Sequence, residues 1–112
     1  MAEAVYVPVK KLTEFMIDAL LEMGVPRTDA EIIADVLLAS DLYGVRSHGI
    51  AHLKWYHSRI KAGLQQAVTH WTIVNESLTT AVIDGGNGMG MVVAYHAMKL
   101  AIQKAPEGYH PL

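Results

Sequence analysis

Asp41-Leu42-Tyr43-Gly44-Val45-Arg46-Ser47-His48-Gly49 sets a serine and a histidine side by side between two segments of helical periodicity. Gly44 reads as the terminator of the segment before it. The segment after it is expected to start near His48 and to end before Gly63. The Ser47-His48 pair is therefore expected at a helix N-terminus, where backbone N–H groups lack intrahelical partners and favour anions. An imidazole in that place can give or take a proton beside a bound carboxylate. Ser-His-Gly is a common tripeptide, so its flanks decide what it means.

Upstream, Leu12, Phe15, Met16, Ala19, Leu20 and Met23 recur at helical spacing and form one apolar stripe. Gly24 follows as a left-handed stop. Thr28-Asp29-Ala30-Glu31 reads as a capping box, with Thr28 capping a second helix and Glu31 reaching back. That helix should bury Ile32, Ile33, Val36 and Leu37 and, after so short a link, fold back on the first as an antiparallel hairpin. In the third helix Leu53, Tyr56 and Ile60 share a face, with Trp55 and Arg59 on others.

Downstream the period changes. Trp71-Thr72-Ile73-Val74 and Ala81-Val82-Ile83 are short β-branched runs separated by polar Asn75-Glu76-Ser77, which reads as a strand pair. A last helix carries the stripe Met91, Ala94, Tyr95, Met98, Ala101, Ile102 and Ala105. Three helices, two strands and a helix make an α+β layout, helical over residues 8–63 and strand–strand–helix over residues 69–105. Two strands seldom hold alone, and an open edge invites pairing. Either further chain covers the sheet and the last stripe, or the protein self-associates.

Two blocks carry a family resemblance. DLYGVRSHGIAHLKWYHSRIKAG, Asp41 to Gly63, resembles the N-terminal signature of the malate/L-lactate dehydrogenase family. TTAVIDGGNGMGMVVAYHAMKLAIQKA, Thr79 to Ala105, resembles the strand–glycine loop–helix that follows it there. That family is unrelated to the Rossmann-type dehydrogenases and includes ureidoglycolate dehydrogenases, diketogulonate reductases and cyclic imino acid reductases. The resemblance runs from about Leu12 to Ala105. It implies that the α+β elements are the front of a larger malate/L-lactate dehydrogenase-like fold. It also implies NAD(P)-dependent hydride transfer between a 2-hydroxy acid such as malate or lactate and a 2-oxo acid, or a related C=N reduction.

Members of that family are much longer than the 112 residues here, and their cofactor-binding segments lie beyond this point. Residues 1–112 are therefore expected to be an N-terminal portion, incomplete as an enzyme, with the cofactor-binding part absent. The tail Pro106-Glu107-Gly108-Tyr109-His110-Pro111-Leu112 does not resemble the strand expected next. The implied cofactor is NAD or NADP, bound mainly by missing segments. The implied partners are a small 2-oxo or 2-hydroxy acid and further copies of the chain, as in a homodimer. A second reading of the same residues is a helical assembly or dimerisation module that retains only the ancestral fold.

The resemblance implies His48 as the proton donor to the carbonyl oxygen during reduction and the acceptor in reverse. Ser47 would hydrogen-bond the substrate or orient His48, and serving as the helix N-cap is compatible with both. Read from the residues alone, the pair is more often a capping serine followed by a surface histidine. His52 lies one helical turn on, so it projects from the same side as His48 and is a candidate substrate contact. Several family members carry an arginine there, suited to a carboxylate through a bidentate fork that histidine lacks. Arg46 and Arg59 are alternative carboxylate holders.

His48 and His52 also have the spacing of a metal pair. Gly49-Ile50-Ala51 between them lacks the glutamate of a His-Glu-x-x-His motif, and His57 points elsewhere on the helix. No metal is expected. The loop Asp84-Gly85-Gly86-Asn87-Gly88-Met89-Gly90 follows a strand and opens a helix, yet Met91 stands where the third glycine of a dinucleotide fingerprint belongs. It reads as a tight turn needing positive φ, and no cofactor-binding residue is assigned in the chain.

Composition bounds the rest. The chain is 52% hydrophobic and 18% charged with a net charge of −2, so nothing favours non-specific binding to a nucleic-acid backbone. It has no cysteine, which excludes disulfides and thiolate metal sites and fits a cytoplasmic protein. Met1 to Tyr6 carries an acid and no basic region before an apolar run, unlike a signal peptide. No apolar run is long enough to span a bilayer.

Overall fold

A computed structural model of the protein describes residues 5–107. The expectations for Met1–Ala4 and for the tail Gly108–Leu112 lie outside the described residues. Within them the order is α1 (Val9–Glu22), α2 (Arg27–Leu42), α3 (Leu53–Lys61), β1 (Thr72–Glu76), β2 (Ala81–Asp84) and α4 (Gly90–Lys104). Two 3-10 turns, Arg46–His48 and Ile50–His52, lie between α2 and α3. This is the α+β arrangement expected. The chain forms two compact units that divide between Ser58 and Arg59.

In the first unit α1 and α2 pack on one another across the link Met23–Pro26. The core is Met16 and Leu20 from α1, Val25 from the link, Ala30, Ile33, Ala34 and Leu37 from α2, and Leu53. Each large apolar side chain buried this way contributes roughly 1.5–3 kcal/mol. The stripe of α2 is rotated from the one expected: Val36 is 39% exposed, while Ala30 and Ala34 are fully buried. Ala30, Ile33, Ala34 and Leu37 keep strict helical spacing, and the two alanines let the helices approach closely. On α1, Phe15 lies outside the core at 58% exposure.

Helix ends follow local chemistry. Gly24 adopts φ +95°. There Val25 N–H donates to Leu20 O at 3.0 Å and Gly24 N–H to Leu21 O at 3.0 Å. This is the paired-bond stop that a left-handed glycine permits. Gly44, at φ +83°, ends α2 the same way, with Val45 N–H on Ser40 O at 2.8 Å. The start of α2 corrects the capping-box expectation. The helix begins earlier, with Pro26 at the cap position and no side-chain cap, so Thr28 lies inside the first turn. Glu31 instead pairs with Arg27 at 3.3 Å on the exposed face, a contact of small energetic weight.

In the second unit β1 and β2 pair antiparallel, with Ile73 opposite Ile83, Glu76 opposite Ala81, and a bulge between Ile73 and Asn75. The strand runs on through Asn75 and Glu76, which had been expected to separate the strands. The reversal is held by side chains: Ser77 Oγ accepts Thr80 N–H at 3.0 Å and lies 2.6 Å from Thr80 Oγ1. Lys104 on α4 reaches back to the Ser77 carbonyl at 2.6 Å and to Glu76 at 2.8 Å. Met89 and Val92 are buried, but Met98 and Ile102 on the expected stripe of α4 are 62% and 63% exposed. No described helix is long and apolar enough to cross a membrane.

Candidate active site

The turn Val45–Gly49 places its two functional candidates in the open. Ser47 and His48 are exposed within the first 3-10 turn. Ser47 Oγ lies 2.8 Å from His48 Nδ1. With Nδ1–H donating to Oγ, Nε2 is left to exchange a proton with a ligand, and Nδ1 keeps its partner in both charge states. The contact places the Ser47 hydroxyl within hydrogen-bond distance of the imidazole. Ser47 is not a helix cap, because Val45 holds the cap position and no side chain caps the turn.

The expected single helix from His48 onward is instead two 3-10 turns hinged at Gly49, with the α-helix starting at Leu53. The hinge has a specific cause. Asp41 Oδ2 accepts the Ile50 N–H at 2.9 Å. Gly49 is buried, and a Cβ built on it would fall inside the Asp41 carboxylate. Any other residue at position 49 would displace that group.

His52 comes round to the same side as His48, with ring centroids 5.3 Å apart in an edge-on arrangement. Behind it stand Trp55 at 5.4 Å and Tyr56 at 5.6 Å from the His52 ring. Trp55 and Tyr56 also meet edge-on at 5.4 Å. Together they make a wall of aromatic edges and faces beside an imidazole. Tyr56 is half-buried, and that burial pushes its phenol above the ordinary value. The group favours its protonated, hydrogen-bond-donating form. Sequence reasoning placed Tyr56 on a core face and overlooked it as a site neighbour; its spacing from His48 and His52 on successive turns was the available signal. Asp41 was quoted in the decisive run but given no role.

Arg46 is exposed in the same turn as His48, whereas Arg59 belongs to the second unit. His57 is exposed on α3, and His96 in the second unit stacks on Trp71 at 5.0 Å. Among the described residues no three His, Cys, Asp or Glu side chains stand close enough to hold a metal ion.

The glycine loop is built differently. Gly86 has φ +60° and Asn87 φ +58°, the positive-φ turn expected of it. A Cβ on Gly86 would strike the His70 carbonyl, and one on Gly88 the Thr69 side chain. Three of its donors are engaged: Gly86 N–H on Asp84 Oδ1 at 2.9 Å, Gly88 N–H on Gly85 O at 3.1 Å, and Met89 N–H on Thr69 Oγ1 at 2.9 Å. A dinucleotide diphosphate favours free donors, and the Asp84 carboxylate already holds the Gly86 donor here.

An α+β chain of this order is shared with solved dehydrogenases. It superposes on malate dehydrogenase from Pyrococcus horikoshii OT3 with a TM-score of 0.88 and 40% identity, covering 96% of this chain and 33% of that one. It superposes on sulfolactate dehydrogenase from Methanocaldococcus jannaschii with a TM-score of 0.88 and 42% identity, covering 91% of this chain and 30% of that one. The profile of the malate/L-lactate dehydrogenase family matches residues 7–108, and the chain belongs to that family. Among curated relatives, the P. horikoshii malate dehydrogenase is 43% identical over 101 residues, 90% of this chain and 28% of the relative. The chain thus spans little more than a quarter of the length of such relatives.

Proposed function

We propose that this chain is the N-terminal part of an NAD(P)-dependent dehydrogenase that interconverts a small 2-hydroxy acid, such as malate or lactate, with its 2-oxo acid. The observation that carries the reading is His48: an exposed imidazole whose Nδ1 is tied to Ser47 at 2.8 Å, leaving Nε2 for proton exchange. In reduction, Nε2 delivers a proton to the carbonyl oxygen, which becomes the hydroxyl; in oxidation it takes that proton back. A bound NAD or NADP supplies or accepts the hydride. We assign its binding to segments that the longer relatives carry beyond the matched portion.

His52, edge-on to His48, is proposed as a substrate contact, a single donor where an arginine fork would grip both carboxylate oxygens. We further propose that residues 8–63 and 69–105 serve as helical and strand–strand–helix parts of the larger fold, and that the protein is a cytoplasmic homo-oligomer. The alternative, a non-catalytic assembly module, is disfavoured by the match of residues 7–108 to the malate/L-lactate dehydrogenase family.

A chimera tests the assignment. Residues 7–108 replace the matching segment of the P. horikoshii enzyme, and NADH or NADPH oxidation is followed with oxaloacetate and pyruvate. Turnover of at least one 2-oxo acid is expected. A folded chimera that binds the nicotinamide cofactor yet turns over neither acid would overturn the reading.

A further inference from the structure

We propose that Asp41 is a positioning residue for His48, a clasp whose carboxylate fixes the hinge carrying the Ser47–His48 pair on one side and His52 on the other. Its significance for chemistry rests on the proton-exchanging reading of His48, while the clasp itself is a matter of geometry. Asp41 lies in the last turn of α2, the carbonyl end of a helix, where a negative charge is unfavourable. The side chain is therefore not there to stabilise its own helix. It is half-buried, and its Oδ2 accepts the N–H of Ile50 at 2.9 Å, the opening donor of the second 3-10 turn.

Gly49 is the joint. Its N–H donates to Arg46 O at 3.3 Å, closing the turn that bears Ser47 and His48. Its carbonyl accepts His52 N–H at 3.0 Å, opening the turn that bears His52. Gly49 has φ −95° and ψ −142°, and the Asp41 carboxylate occupies the space that a Cβ on it would take. Asp41 in turn is anchored by the stop at Gly44, where its own carbonyl accepts the Gly44 N–H at 3.1 Å. One carboxylate thus ties the end of α2 to the joint, and the 5.3 Å approach of the two imidazoles follows from where that joint sits.

The test is nitrogen NMR of the histidine side chains in this chain, with Asp41→Ala, Asp41→Asn and Gly49→Ala. Methyl signals of Leu20, Ile33 and Leu37 report whether the core is intact. Asp41→Ala is expected to lose the hydrogen-bonded shift of the Ile50 amide and the Nδ1 signature of the His48–Ser47 hydrogen bond, with the core signals in place. Asp41→Asn retains an oxygen acceptor and should keep both signatures. Gly49→Ala leaves the carboxylate in the chain but evicts it from the joint, and should reproduce Asp41→Ala. Should the alanine at position 41 unfold the protein, the other two variants still decide. Wild-type His48 and Ile50 signals in Gly49→Ala, or their loss in a folded Asp41→Asn, would overturn the proposal. No turnover is measured, so failure of the clasp and failure of the dehydrogenase reading are told apart.

Discussion

The turn Val45–Gly49 and the loop Asp84–Gly90 are both glycine-bearing connections that lead towards a helix, and each holds a glycine that tolerates no side chain. They spend their polar groups in opposite ways. In the loop, its own Asp84 carboxylate accepts Gly86 N–H and its own Asn87 amide donates to Leu64 O at 2.8 Å, while Thr69 adds one bond from outside. In the turn, Asp41 from outside does the tying, and the segment's own Ser47 and His48 are left pointing at solvent. A connection whose own side chains hold it together has none left for a ligand. One held by a neighbour can display its side chains, and this is why the turn is the candidate active site and the glycine-rich loop is scaffold.

Variants that separate the two segments can break this contrast. In a turnover-competent chimera, His48→Asn should lower kcat by about 10²- to 10⁴-fold, the usual weight of a positioned acid–base group. Asn87→Ala in the loop should leave kcat at the parent value; steady-state kinetics on both decides whether function is confined to the turn. Gly86→Ala should destabilise the protein by roughly 1–2 kcal/mol through its left-handed φ alone, read as a lowered urea midpoint. The His48 signals should not move.

Smaller effects sharpen the picture. Ser47→Ala removes one hydrogen bond of about 0.5–1.5 kcal/mol, which should appear as a several-fold loss of kcat with KM little changed. The smallest is a pH effect at Tyr56. Burial raises its pKa above the ordinary 10.0, so the fold favours the protonated phenol. That contribution is complete below the ordinary value and is lost as pH rises through the raised one. Unfolding free energy should therefore fall as pH is taken above about 10, and Tyr56→Phe should reduce that fall.

Much of this arrangement was legible in the residues. Gly24 and Gly44 announced their helix ends because a left-handed stop has a strong local signature. The two short β-branched runs gave away the hairpin, and the pair of blocks from Asp41 and from Thr79 pointed to the family. Other features were hidden for physical reasons. Ala30 and Ala34 are core residues too small to weigh in an apolar stripe, so the face of α2 was read a step out of register. Thr28 matched a capping box, but Pro26, with φ already near helical values, started the helix first. The break at Gly49 does not show in the residue pattern, since it depends on the Asp41 carboxylate, eight residues upstream, meeting the Ile50 N–H in space. That carboxylate did leave one trace: an acid at the carbonyl end of α2 contradicts the helix dipole and asks for a partner.

The most direct measurement of the central claim is chemical rescue of His48→Ala in the chimera. Turnover with NADH or NADPH is followed as exogenous imidazole is added. If His48 exchanges the proton, the variant loses most of its kcat, and imidazole restores part of it in a saturable, base-dependent manner. A variant that turns over at the parent rate without imidazole would contradict the account, and the exposed Ser47–His48 pair would then be no more than a turn.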